Sequence, residues 1–221
     1  MATPTITPDA LKTTIEDIIS VNTFLNDFWG DGGWASGDAR RLLRESRLDR
    51  QVELSRTLAI WLEPPTEHDS DGRLILAWAN LGTLVEGTMK WFLCVFANDY
   101  ANAPEFDRNG NRVDPDDIWF AKLCRYFVRQ VGQTAKFDRL CSRIRARRNS
   151  IHAFTDRPIG TWDEWYECVI DYRRFLIHFA LSVPYPDEQF AMPFKIREIE
   201  ERVSLMDVDK LPETTDEYME Q

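Results

Sequence analysis

The chain is short of the residues on which the common cofactor chemistries depend. It carries three histidines and four cysteines in 221 residues. Cys94, Cys124, Cys141 and Cys168 show no paired metal-ligand spacing, and there is no Cys-x2-Cys pair, no His-Glu-x2-His and no Gly-rich phosphate cradle. These absences remove the usual zinc and nucleotide-binding motifs, and no cofactor or metal is expected. The cysteines sit in apolar helical contexts and read as reduced core thiols of a cytoplasmic protein. Cys141 stands beside arginines that could draw its thiol pKa down, although a buried cysteine is more often simply core. Met1-Ala2-Thr3-Pro4 lacks a basic region followed by an apolar run, so no secretory signal is expected. The most apolar stretch, Leu74 to Phe96, is interrupted by Asn80, Glu86 and Lys90, which predicts a buried core helix and no membrane span.

What is present is apolar and aromatic. A chain with 43% hydrophobic and 12% aromatic residues, eight of them tryptophan, can bury a full core. The formal net charge of -10 repels nucleic acid at long range, so any RNA contact must be local or shared with a partner.

The periodicity is helical throughout. Thr7-Pro8-Asp9 opens a first helix with Leu11, Ile15, Ile18, Leu25 and Phe28 as its stripe, and Gly30-Asp31-Gly32-Gly33 stops it. A second helix is predicted from Asp38 to Leu62, ended by Pro64-Pro65. Its arginines, Arg40, Arg41, Arg44, Arg47 and Arg50, interleave with Glu45 and Asp49 and read as a solvated, ion-paired face. His68 lies among the acids of 67–72, a loop that suggests a metal cluster but reads more simply as a flexible connection. The third helix runs from Arg73 to about Tyr100. A fourth, Pro115 to Val131, has Ile118, Trp119, Leu123, Phe127 and Val131 as its stripe. Thr161-Trp162-Asp163-Glu164 is a capping box that opens a helix reaching Val183. A last helix, 187–205, precedes an acidic tail, 207–221, that reads as disordered.

The sign of the charge reverses once. From Arg139 to Arg148 there are five arginines and no acid. Phe137, Leu140, Ile144 and Ile151 recur at helical spacing, which predicts an amphipathic helix with a buried stripe and an accessible arginine face. On such a helix Arg148 and His152 share a face and Asn149 lies beside them; Arg147 reaches that space only if the helix loosens near Ile151. A guanidinium that can fork onto phosphate oxygens, beside an imidazole, is what phosphodiester cleavage without a metal requires. Arg143 and Arg145 would add RNA contacts. Asp156 and Arg157, just after, could orient the imidazole or bind phosphate, or only pin the loop. Glu86 and Lys90 are spaced as a helix ion pair, and Glu86 in so apolar a helix needs a further partner, for which an arginine from 143–148 is the nearest candidate in chemistry.

Arg147-x4-His152 resembles the Arg-x(4 to 6)-His signature of the HEPN superfamily, helical proteins that often act as RNases in toxin–antitoxin and phage-defence systems. Arg148-Asn149 resembles the Arg-Asn pair common in that signature, with three residues before His152, so either arginine can be the motif arginine. Glu86-x3-Lys90 is similar to a Glu-x3-Lys that some lineages carry on a core helix facing the motif. The resemblance covers about 73–183. It implies an all-α, up-and-down helical bundle with extra N-terminal and C-terminal helices: an extension at 1–72, the bundle at 73–183, a helix at 184–206 and the tail.

The resemblance further implies a homodimer, through the Arg147/His152 face, with both motifs facing one cleft. A second reason for two copies is that 2′-hydroxyl attack wants one group to take a proton and another to give one, while His178 reads as a core residue and leaves one credible histidine per chain. His152 would act as base or acid, or orient the 2′-hydroxyl. Arg147 or Arg148 would stabilise the phosphorane, Asn149 would position it, and 2′,3′-cyclic phosphate ends would result. RNA, tRNA among it, is the expected substrate, with an antitoxin or a nucleotidyltransferase as partner. Two other readings stand beside this one: an inactive HEPN-like RNA- or protein-binding module working with a nucleotidyltransferase or defence ATPase, and a helical structural protein of a phage or mobile element.

Overall fold

Thr7 accepts a hydrogen bond from the Ala10 amide at 3.3 Å, Pro8 occupies the first turn, and α1 runs over Pro8–Trp29, as the sequence predicts. In the computed structural model residues 7–66, 68–132, 135–152, 156–185 and 196–201 are described, and they fold as an all-α helical bundle. The only strand-like pairing among them is an isolated bridge between Phe106 and Arg112.

The helix predicted over 38–62 is two helices, α2 (Gly37–Glu45) and α3 (Leu48–Thr57), followed by a 3-10 turn, Leu58–Leu62. Ser46 causes the break: its backbone is extended (φ −66°, ψ 151°) and its hydroxyl donates to the Leu43 carbonyl at 2.6 Å, competing with the helical ladder. Arg41 reaches Glu45 at 2.9 Å and Asp114 at 3.2 Å, and Arg47 reaches Asp49 at 2.8 Å, so these arginines serve the ion-paired surface.

The centre of the bundle is α4 (Ser70–Val95), which packs against α2, α3, α6, α7 and α8 and, past a break at Phe96, against α5 (Ala97–Asn102). Leu81, Leu84, Val85 and Met89 are fully buried along it. No described helix is long and apolar enough to cross a membrane. The helix predicted over 115–131 is instead a 3-10 turn (Pro115–Asp117), an extended pair at Ile118 and Trp119, α6 (Phe120–Tyr126) and a π-helical turn (Phe127–Val131). Then come α7 (Ala135–Arg148) and α8 (Trp162–Ser182), the latter opened by both halves of the Thr161/Glu164 capping box. Residues 196–201 are helical; the rest of the predicted last helix and the acidic tail lie outside the described residues.

One apolar cluster extends from Leu11 in α1 to Ile196. Two polar crossings run through it. The Gln51 amide donates to the Leu84 carbonyl at 2.6 Å, and the Thr88 and Tyr172 hydroxyls meet at 3.0 Å, joining α3, α4 and α8. Gly87 leaves the room for Gln51, since a Cβ there would overlap its amide. The Asp17 carboxylate in α1 accepts from Arg173 in α8 at 3.2 Å, with both residues buried.

All four cysteines are free and buried. Cys141 departs from the expectation of a lowered pKa: its hydrogen bond with Cys124, then its burial, push the thiol up and outweigh the lowering by the Arg145 charge. Burial likewise pushes the Cys94 and Cys168 thiols and the Tyr172 phenol up to about 12. In the unfolded chain thiols ionise from about pH 8.5 and phenols from about 10, while the folded chain keeps them protonated. Their stabilising contribution is therefore complete below about pH 8.5 and is lost as pH rises toward 12, at about 1.4 kcal/mol per pH unit for each group that the unfolded chain ionises first. Urea midpoints are expected to be flat between pH 7 and 8 and to fall steeply from pH 9 to 11. A flat profile to pH 11 would contradict this.

Candidate functional site

Phe137, Leu140, Cys141 and Ile144 bury one side of α7 at helical spacing, and its last four arginines, from Arg143 to Arg148, divide among three destinations. Arg143 and Arg147 turn to α8. Arg143 meets Glu167 at 3.0 Å; Arg147 meets Glu164 at 3.1 Å and donates to the Pro158 carbonyl at 2.8 Å. Arg148 turns to α4 and forms a close ion pair with Glu86, whose other oxygen takes Lys90 at 3.0 Å. Arg145 is exposed and makes no ion pair with a described residue. The partner that Glu86 requires is thus Arg148, as the chemistry of the two helices suggests.

Arg148 is held from three sides. Besides Glu86, its guanidinium carbon stands 5.5 Å from the centre of the Phe120 ring in α6, a cation–π arrangement. Its stem lies across Gly82, where a Cβ would come within 2.7 Å of Arg148 Cδ. Only glycine lets the side chain cross α4 there, and Gly82 carries no sequence signal of that role.

The helix ends at Arg148 and passes into a 3-10 turn, Asn149–Ile151, in which the His152 amide donates to the Asn149 carbonyl at 3.4 Å. Tightening from 3.6 to about three residues per turn rotates the side chains of the turn relative to the helix before it. Ser150 becomes the buried residue, and Ile151, expected in the buried stripe, is 47% exposed. His152 is also exposed, on the same side as Arg148 and Asn149.

Together these residues form an open groove of about 620 Å³ between α4, α6 and the end of α7. Arg145, Arg148, Asn149, Ile151 and His152 come from one side, Ala79, Thr83 and Glu86 from α4, and Trp119 and Phe120 from the start of α6. Among the described residues Glu86 is the one carboxylate against two arginines, so their lining is net positive in an acidic protein. Lys90 stands behind Glu86, and neither Arg143, Arg147, Asp156 nor Arg157 lines the groove.

Trp119 departs from the expectation that it belongs to an apolar stripe: it is 73% exposed. Ile118 before it and Phe120 after it are buried, and the Trp119 carbonyl accepts from the Lys122 and Leu123 amides at 2.8 and 2.9 Å. The flanks fix the backbone in extended form, where alternate side chains face opposite ways, so the indole points out. A helical period laid over 115–131 conceals this alternation. His178 also differs from its expectation as a core residue. It is exposed, rests edge-on against Phe179 at 5.3 Å, and lines a separate depression with Lys136, Asp171 and Arg174.

The arrangement offers an anchored guanidinium, a second one with no ion pair to a described residue, an amide, an exposed imidazole and an exposed indole along one groove. No group of three or more His, Cys, Asp or Glu residues arranged to hold a metal occurs among the described residues. Compared with models of known protein families, with curated proteins and with solved structures, the chain has no match.

Proposed function

We propose that the groove cleaves RNA, and that the chain is a metal-independent endoribonuclease of the HEPN type. The observation that carries this reading is the convergence of Arg148, Asn149 and exposed His152 on one net-positive groove. In the reaction, one imidazole takes the proton of a ribose 2′-hydroxyl as that oxygen attacks the adjacent phosphorus. The P–O5′ bond breaks, the 5′-oxygen receives a proton, and a 2′,3′-cyclic phosphate and a 5′-hydroxyl are left. Arg148 neutralises the phosphorane, Arg145 engages a flanking phosphate, and Asn149 donates a positioning hydrogen bond. Glu86 and Lys90 set the position of the Arg148 guanidinium. The one carboxylate among the described lining residues is already taken by two cations, so the chemistry they offer is that of cations and an imidazole.

The reaction needs a proton donor as well as an acceptor, and each groove has one histidine. A homodimer that brings two such grooves together supplies both, through the Arg148/His152 face, with Arg147 supporting that face from behind through α8. A cytoplasmic setting in toxin–antitoxin or phage defence, with tRNA among the substrates and an antitoxin as restraint, belongs to the same proposal by resemblance.

A second reading rests on Glu86. Its carboxylate already occupies Arg148, the anion site is filled from within, and the chain carries a net charge of -10. These features favour an inactive module that binds RNA or a protein beside a nucleotidyltransferase or defence ATPase.

Incubation with total RNA and tRNA in EDTA separates the two. The wild type is expected to cut, leaving cyclic phosphate ends. His152→Ala, with its folded state verified by tryptophan fluorescence, is expected to lose about 10²–10⁴-fold in rate. Unchanged cleavage by that variant would remove the central residue of the proposal, and no cleavage by either protein would favour the binding module.

A further inference from the structure

We propose that Trp119 is a stacking platform for an unpaired nucleobase, so that the groove takes a single-stranded segment of nucleic acid. The inference rests on the reading of the groove as an RNA site and narrows its substrate class.

An indole with 73% of its surface in water gives up a large apolar area, and this one is neither at a terminus nor on a loose loop. Buried Ile118 and Phe120 clamp it, and its own carbonyl anchors the first turn of α6. The backbone that carries the indole is thus fixed, and directs it outward, before any ligand arrives. The indole belongs to the same groove as Arg145 and Arg148, and the ring of the next residue, Phe120, carries the Arg148 guanidinium. An aromatic face beside two guanidiniums matches a nucleotide in both its parts, base on the indole and phosphates on the arginines. Ile151, exposed across the groove, adds an apolar contact for the base.

A base pair inside a duplex has both faces covered by its neighbours in the stack and presents none to an indole. Only a nucleotide in a single strand, loop or end can use Trp119. The net charge of the chain strengthens this choice. With long-range attraction absent, affinity has to come from short-range contact, and stacking supplies it without regard to ionic strength.

Oligonucleotides lacking 2′-hydroxyls bind without being cut and separate binding from cleavage. The probes are a single-stranded oligodeoxynucleotide, the blunt duplex of the same sequence, and a strand of the same length with abasic sites. Wild type is expected to bind the single strand at least about 10-fold more tightly than the other two. Trp119→Ala is expected to weaken single-strand binding by about 5- to 150-fold, the range for loss of one stacked base, and Trp119→Phe to restore most of it. Equal binding of all three probes, with Trp119→Ala unchanged, would overturn the stacking assignment while leaving the RNA-cleavage reading to the His152 assay. So would a Trp119→Ala variant that binds normally but shifts the monomer–dimer balance, since the indole then belongs to a protein interface. Base-dependent binding without any cleavage by the wild type would uphold the stacking assignment and remove the nuclease.

Discussion

Replacement of Arg148 by alanine is expected to lower RNA cleavage by about 10²–10³-fold, whereas replacement of Arg147 changes the rate by less than about threefold and instead lowers stability. The factor for Arg148 is that of removing one preorganised charge-stabilising donor from a transition state. Preorganisation is visible in the three supports of its side chain: Glu86, the Phe120 ring and the space left by Gly82. The fold should survive the change, because Glu86 keeps Lys90 at 3.0 Å and is not left as an unpaired charge. Arg147 is committed elsewhere. It ties the Pro158 carbonyl and Glu164, itself half of the capping box of α8, so its loss frees the loop leading into that helix. The ion pair is partly exposed, and its loss is expected to cost about 0.5–1 kcal/mol in thermal or urea denaturation. Parallel rate and denaturation measurements on the two variants decide between the two arginines. A rate loss confined to Arg147→Ala would transfer the role to Arg147 and remove Arg148 from the site.

The two arginines are adjacent in sequence, and periodicity alone cannot choose between them. Which of them lines the groove follows from where α7 stops. A helix carried through Ile151 keeps Ile144 and Ile151 on one buried stripe, while the 3-10 turn at Asn149–Ile151 buries Ser150 and turns Ile151 and His152 outward. Such a change of winding leaves little trace in composition. The same limit hides Trp119, whose exposure follows from two extended residues between a 3-10 turn and α6. It also hides the break at Ser46, where one side-chain hydrogen bond outweighs an otherwise helical pattern. Features with a local chemical cause were legible: the Thr7 cap, the Thr161/Glu164 capping box, the buried stripe from Phe137 to Ile144, and the demand of Glu86 for a cation. The cation itself required the fold, since 62 residues separate Arg148 from Glu86.

The largest stability effect is expected far from the groove in sequence, at the pair Asp17 and Arg173. Their side chains are only 5% and 7% exposed, so each charge has lost nearly all its water, a cost that the opposite charge on the facing helix offsets. Asp17→Ala leaves the Arg173 guanidinium buried without that partner and is expected to cost about 3–5 kcal/mol, a large part of the roughly 5–15 kcal/mol that holds a domain of this kind together. Arg173→Met is expected to cost as much, for the mirror-image reason. Replacing both at once by apolar residues, Asp17→Leu with Arg173→Met, removes the desolvation penalty together with the attraction, and should come out near neutral or stabilising by about 1–4 kcal/mol. Because the pair is shielded, added salt should alter these differences little, in contrast to the exposed Arg41–Glu45 pair on α2. A double-mutant cycle read by urea denaturation makes the test. A single Asp17→Ala loss below about 1 kcal/mol would mean that Arg173 finds water or another partner once Asp17 is gone, and that the ion pair contributes little to fastening α1 to α8.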